Sequence, residues 1–224
     1  MTYKEEFIEF LVQCNALRFG EFELKSGRIA PYFINTGMFD TGTKIRKLGT
    51  YYAQAVQEHF RDDFHGIYGP AYKGIPLCIT AAAALAEAGI DKGYVFNRKE
   101  AKTYADKSAV VGMSLTPDTR LILVDDVITS GKAIRESLEV LKNCGAPEVA
   151  GIVISVNRQE KGKTDRNALE EVADTLGIPI FSIVTVSDII AYLHNRTING
   201  RIVLDDDMKT KIDAYLETYG ASGE

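Results

Sequence analysis

Residues Leu121 to Ala133 constrain the chain more than any other stretch. Leu121-Ile122-Leu123-Val124 is a run of large apolar side chains with neither alternation nor helical period, the mark of a strand covered on both faces in a parallel sheet. The run stops at two carboxylates, Asp125 and Asp126. That places the pair at the carboxyl end of a central strand, where open α/β sheets bind their ligands. Thr129-Ser130-Gly131 then makes a hydroxyl- and glycine-bearing turn, and Ala133, Ile134, Leu138 and Leu141 are spaced as a helix. Such a turn aims several backbone N–H groups and the positive end of a helix at one point, a cradle for phosphate. With two acids able to accept from sugar hydroxyls a few residues away, the implied ligand is a ribose phosphate. An acid pair after a strand also serves as turn or cap chemistry, so the pair by itself does not decide. The mononucleotide P-loop is excluded, because Asp126 stands where its first glycine belongs and Ala133 where its Ser/Thr belongs.

Strands and helices alternate along the rest of the chain, which predicts an α/β fold with a mostly parallel, twisted sheet flanked by helices. Thr2-x-x-Glu5 reads as a capping box for an amphipathic helix over 3–16. Residues 21–35 read as a hairpin with Lys25-Ser26-Gly27-Arg28 at its turn, so that residues 1–40 make a small N-terminal hood. Lys25 at that tip is either a solvated charge or a cation reaching over the site. A helix is expected over 43–60, with His59 a packed residue beside its apolar stripe. Gly66 to Pro70 reads as a short buried strand whose exit, Ala71-Tyr72-Lys73-Gly74, leads into a helix over 75–88; Tyr72 and Lys73 there suit an anion. Strand Gly93 to Phe96 delivers Asn97 to Ser108, with four basic residues against two acidic ones and no apolar period. A loop of that length inside a compact domain is a solvated connection, a lid or a binding segment. Arg98, Lys99 and Lys102 suit a pyrophosphate, Arg98 as a planar fork and the lysines as point charges. Helix 132–143 is expected to end at Gly145. Strand Val149 to Val156 delivers Asn157-Arg158 to the same edge, where Arg158 is a carboxylate clamp or a surface arginine, and the address favours the clamp. Thr164 or Asp165 is expected to cap a helix to about Leu176, followed by strand 180–185, a short helix from Ser187 and a terminal helix over 205–219.

A formal net charge of −5 and a pI near 5.4 lack the basic signature of nucleic-acid binders. No apolar run approaches the length of about 18 residues that a membrane span needs, and Lys4, Glu5 and Glu6 interrupt any leader-like pattern. The expectation is one soluble, cytoplasmic domain over 1–224. Cys14, Cys78 and Cys144 are odd in number and far apart, which fits buried free thiols rather than a disulfide framework or a metal site.

The thirteen residues from Leu121 resemble the phosphoribosyl pyrophosphate (PRPP) motif of the type I phosphoribosyltransferases. Leu24 to Phe33, Gly69 to Gly74, Phe96 to Lys102 and Val156 to Arg158 resemble the bacterial branch of that family that acts on orotate. The resemblance spans essentially the whole chain and implies the type I phosphoribosyltransferase fold. It implies transfer of the ribosyl 5-phosphate from PRPP to orotate, giving orotidine 5′-monophosphate and pyrophosphate in pyrimidine synthesis. Magnesium is implied to arrive on PRPP and water rather than in a protein cage. A mobile catalytic loop over 97–112 is implied, and a homodimer whose 98–108 loop reaches the partner's site. By the same resemblance Asp125 and Asp126 hold the ribose, and Val127, Ile128, Thr129, Ser130, Gly131, Lys132 and Ala133 surround the 5-phosphate. Lys25, Tyr72, Lys73, Arg98, Lys99, Lys102 and Tyr104 belong to the PRPP site, with Lys102, Asp125 and Asp126 catalytic. Lys25, the backbone around Phe33 and Ile34, Thr129 and Arg158 bind orotate. Tyr104 departs from a frequent histidine and Ile34 from a frequent phenylalanine. A purine-base transferase and a PRPP-sensing module are the competing readings; Arg158 and the Lys25 hairpin speak against the first, and the loop cations and lack of a basic appended domain against the second.

Overall fold

The structure is a computed structural model that describes residues 1–24, 27–98, 109–128 and 131–221. In chain order its elements are α1 (Tyr3–Gln13), β1 (Leu17–Glu23), β2 (Ile29–Ile34), α2 (Gly42–Phe60), β3 (Gly66–Gly69), α3 (Gly74–Glu87), β4 (Gly93–Asn97) and β5 (Val110–Gly112). Then follow β6 (Arg120–Asp125), α4 (Lys132–Lys142), β7 (Glu148–Asn157), α5 (Ala168–Leu176), β8 (Ile180–Thr185), α6 (Val186–Leu193), β9 (Thr197–Ile198), β10 (Arg201–Ile202) and α7 (Asp206–Tyr219). They group into two compact units, one of Met1–Thr41, Val156–Glu171 and Val184–Glu224, the other of Gly42–Ser155 and Val172–Ile183.

The second unit is built on a six-stranded sheet in the order β5-β4-β3-β6-β7-β8. β4, β3, β6 and β7 run parallel, and β5 returns antiparallel along β4. The central strands β3, β6 and β7 carry apolar runs covered on both faces: Ile67, Tyr68, Leu121 to Val124, Ile152 and Val153 are fully buried, as is Val95 of β4, although its neighbour Tyr94 is exposed. Helix α3 lies along β3, β4 and β6, and α2 packs on α3. The two helices approach so closely that a Cβ on Gly49 would meet the Thr80 carbonyl at 2.5 Å. Because β3, β4 and β6 are parallel, Gly69, Asn97 and Asp125 all end on one edge of the sheet. That edge is where the donor-binding residues were expected.

In the first unit the Thr2 capping box is present. The Thr2 hydroxyl accepts the Glu5 N–H at 3.3 Å and the Glu5 carboxylate accepts the Thr2 N–H at 2.7 Å. Phe7, Ile8, Phe10 and Leu11 fill the buried face of α1. β1 and β2 form the expected antiparallel hairpin, with a register irregularity between Phe19 and Phe22. Asn199 and Gly200, both at positive φ, turn the small β9–β10 hairpin that the sequence reading passed over.

Two helix boundaries are corrected. α1 ends at Gln13 rather than at 16, because Asn15 at φ 55 turns the chain toward β1, which starts at Leu17. α5 begins at Ala168, not at Thr164 or Asp165, because the Glu171 carboxylate reaches back to the N–H groups of Lys163 and Thr164, each at 2.8 Å. The Thr164 hydroxyl also donates to Glu171, and Asn167 caps the helix by accepting the Leu169 N–H at 2.9 Å. Residues 163–166 are thereby folded into a loop. Cys14 and Cys78 are buried free thiols, whereas Cys144 is half-exposed. Among the described residues no helix is long and apolar enough to cross a membrane.

Candidate active site

The described residues assigned to the donor lie in the second unit. Asp125 and Asp126 close β6 and are only 8% and 7% exposed. Their backbone is fixed from beneath: the Tyr52 hydroxyl donates to the Asp125 carbonyl at 2.7 Å, and the Ser155 hydroxyl to the Asp126 carbonyl at 2.6 Å. The side chains turn on neighbouring N–H groups, Asp125 Oδ1 accepting from Asp126 and Asp126 Oδ1 from Val127. Lys73 Nζ lies 2.7 Å from Asp126 Oδ2. Burial first, then the Asp126 charge, pushes the Asp125 carboxyl up to about 7, against the pull of the Asp126 N–H and Lys73. A buried carboxyl beside a second one resists sharing its site with another negative charge. It accepts hydroxyl donors readily.

Beyond the pair, Asp125, Val127, Ile128, Gly131, Lys132, Ala133, Ile134 and Glu136 line a cavity of about 380 Å³. Gly131 opens α4 at φ +66, and a Cβ there would stand 2.8 Å from Val172 Cγ1. Both the left-handed backbone and the close approach call for glycine. The N-terminal N–H groups of α4 are the orphan donors a phosphate needs.

At the neighbouring strand ends, Asn97 Oδ1 accepts the Ala71 N–H at 2.8 Å and the Tyr68 hydroxyl at 3.1 Å, tying the 70–73 loop to β4. The Ala71–Tyr72 peptide is cis, and Tyr72 stands 65% exposed. The Arg98 N–H donates to the Ala109 carbonyl at 2.8 Å, closing the base of the basic loop. Lys25, Lys99, Lys102, Tyr104, Thr129 and Ser130 lie outside the described residues.

Of the residues assigned to the base, Phe33, Ile34 and Arg158 are described, and they lie in the first unit. Arg158 is half-buried, with its guanidinium 4.6 Å from the centre of the Tyr32 ring. Its Nε and Nη2 both donate to Glu160 Oε1, at 2.8 and 2.6 Å. Burial, more than the neighbouring charges, lifts the Tyr32 hydroxyl far above its ordinary range, so it remains a donor. Strand alternation sends Tyr32 and Ile34 to one face of β2 and Phe33 to the other. The Phe33 ring stacks on Phe22 at 5.5 Å and lies under Arg18, so its side chain is occupied there and a base contact at Phe33 falls to the backbone.

The sequence reading missed Tyr52, Ser155 and Asn97 in one unit and Glu160, Tyr32 and Tyr215 in the other. Asn97 and Tyr32 sat inside motifs already singled out. The rest carry no local signal, since each acts on a group far along the chain.

A strand that ends in an acid pair beside a glycine-opened helix is the arrangement of a phosphoribosyl transferase domain, and a family model of that description matches residues 38–186. An orotate phosphoribosyltransferase of Clostridium botulinum is 44% identical over 221 residues, 98% of this chain and 99% of that one. One of Clostridium acetobutylicum is 46% identical over 219 residues, covering 97% and 98%. The crystal structure of the orotate phosphoribosyltransferase of Francisella tularensis matches with a TM-score of 0.82 at 37% identity, over 96% of this chain and all of that one. The chain belongs to the orotate phosphoribosyltransferase family.

Proposed function

We propose that the chain moves the ribosyl 5-phosphate group from PRPP to N1 of orotate, releasing pyrophosphate, as a step of pyrimidine nucleotide synthesis. The observation that carries this reading is the buried Asp125–Asp126 pair, with Asp125 lining the cavity at the start of α4. The pair accepts the ribose hydroxyls, and the turn from Val127 to Ala133, Thr129 and Ser130 included, takes the 5-phosphate. Tyr72, Lys73, Arg98, Lys99, Lys102 and Tyr104 serve the pyrophosphate. Lys25, Thr129, Arg158 and the backbone at Phe33 and Ile34 serve orotate.

As the C1–O bond to pyrophosphate breaks, positive charge develops on the sugar and negative charge on the leaving group, as in glycoside cleavage. Cations held around pyrophosphate stabilise that state more than the ground state. The basic loop also keeps water from the cationic sugar. Lys73 leaves Asp126 for the diphosphate as the donor enters.

Among the described residues no group of three or more His, Cys, Asp or Glu side chains could hold a metal ion. The donor set fits magnesium carried on diphosphate and ribose oxygens with retained water, and Asp125 and Asp126 would hold it through the ribose hydroxyls. Bound there, magnesium supplies charge neutralisation of the leaving group. The protein acts in the cytoplasm as a homodimer whose 98–108 loop serves the partner's site, and its 224 residues work as a single phosphoribosyltransferase domain.

The test follows loss of orotate absorbance with PRPP and magnesium. Turnover with orotate, and none with uracil, hypoxanthine or adenine, is the expected result. Turnover with a purine base instead would overturn the reading.

A further inference from the structure

Glu160 gathers several partners in the first unit. Its Oε1 accepts Nε and Nη2 of Arg158, the Tyr215 hydroxyl at 2.9 Å and the Tyr32 hydroxyl at 3.4 Å. Oε2 stands 3.7 Å from Arg28 Nη2, and the side chain is only 12% exposed. The backbone beneath it is pinned as well. Lys161 N–H donates to the Tyr219 carbonyl and Ala221 N–H to the Gln159 carbonyl, each at 2.9 Å, joining Glu160 to the end of α7. Gln159 is held at φ 54, with its side-chain oxygen accepting the Ser187 N–H at 2.7 Å. A carboxylate fixed on both sides in this way fixes whatever it binds.

What it binds is one particular edge of Arg158. A guanidinium offers a side edge, Nε with Nη2, and an end fork, Nη1 with Nη2. Glu160 takes the side edge, while the Tyr32 ring covers one face of the guanidinium plane. Among the described residues nothing takes the end fork, and it suits a carboxylate bidentately.

Charge points the same way. Arg158 is half-buried beside Tyr32, and both it and Arg28 meet the Glu160 carboxylate. A carboxylate on a planar base completes the hydrogen bonding of the Arg158 fork. A base without one leaves it unmet, which is costly in a partly buried place.

We propose that Glu160, steadied by Tyr215 of α7, is a positioning residue that aims the Arg158 end fork and so selects a base bearing a single carboxylate. The inference rests on the reading of Arg158 as the orotate clamp and extends it to the C-terminal helix. Loss of the aiming group weakens orotate binding without touching the donor.

The test compares steady-state constants of the full-length wild type with those of Glu160→Gln, Glu160→Asp, Tyr215→Phe and Arg158→Ala. Glu160→Gln raises the orotate KM about tenfold, the scale of one charge-assisted hydrogen bond, with kcat and the PRPP KM within about twofold. Glu160→Asp restores part of the loss. Tyr215→Phe, which removes one hydroxyl and keeps the ring, shifts the orotate KM the same way by a smaller factor and keeps the test alive if Glu160→Gln does not fold. An unchanged or lower orotate KM in Glu160→Gln overturns the proposal, because Glu160 would then be idle or a competitor for Arg158. A parallel rise in both KM values overturns it too, as a merely structural effect. If Arg158→Ala leaves the orotate KM unmoved, the clamp reading itself has failed; if Arg158→Ala raises it and Glu160→Gln does not, only the positioning role has.

Discussion

Asp125 works close to its own titration point. With its carboxyl pushed to about 7 by burial and by Asp126, it is near half-protonated at neutral pH in the empty protein. Because the folded value lies above the ordinary carboxylate value of about 4, its contribution to stability is full in acid and is lost as pH rises from about 4 to about 7. Ribose hydroxyls that donate to the ionised form reverse the preference, so PRPP binding releases a proton from this site. The affinity for PRPP should therefore rise about tenfold from pH 6 to pH 8. Calorimetry in buffers of different ionisation enthalpy should show a proton release that Asp125→Asn abolishes; release unchanged in that variant would separate Asp125 from the sugar. Lys102 is predicted to act on the leaving group alone. Its replacement by alanine should lower kcat on the order of 10²–10³ while moving the PRPP KM far less, and unchanged turnover would remove it from the chemistry. The acid pair, Gly131 and Arg158 were legible because each is announced by its neighbours in sequence. Glu160 was not, although it follows Arg158 by two positions, because its significance depends on Tyr32, 128 residues earlier, and Tyr215, 55 later.

The elements were legible where a buried face repeats at a regular period. The parallel strands, α2, α3 and α7 announced themselves in that way, and so did the capping box of α1. Elements defined by side chains reaching along the chain were not: α5 starts late because Glu171 holds residues 163–166 off the helix. β5 has three residues and follows the basic loop, too short for a pattern to register. Two glycines test what the elements are for. At Gly49 the added methyl of alanine meets the Thr80 backbone, which has no room to yield. Gly49→Ala should cost about 1–3 kcal/mol of stability and leave both KM values near wild type. Gly131→Ala forces an alanine into the left-handed region at about 1–2 kcal/mol and displaces the N–H groups that open α4. Its signature is a raised PRPP KM with the orotate KM held. Denaturant melts and steady-state kinetics on both variants check the contrast, and equal kinetic damage in the two would deny α4 its phosphate role.

At the scale of the whole molecule the question is which site the basic loop serves. The loop leaves β4 and rejoins β5 where the Arg98 N–H meets the Ala109 carbonyl at 2.8 Å, so its ten residues, 99–108, start and finish at one place. A chain of that length pinned at both ends reaches at most about 17 Å, so the proposed exchange with a partner subunit has to fall within that span. A symmetric dimer makes such an exchange reciprocal, and mixing two inactive variants tests it. Lys102→Ala damages the loop and Asp125→Asn damages the sugar site. If each loop serves the partner's site, a hybrid dimer has one site with both defects and one with neither. Random reassortment of equal amounts makes half the dimers hybrid, so activity should recover to about a quarter of wild type. If each loop serves its own subunit, every site in the hybrid carries one defect and activity stays at the level of the parents. Recovery on mixing, dependent on unfolding and refolding the two variants together, is the outcome expected of this chain.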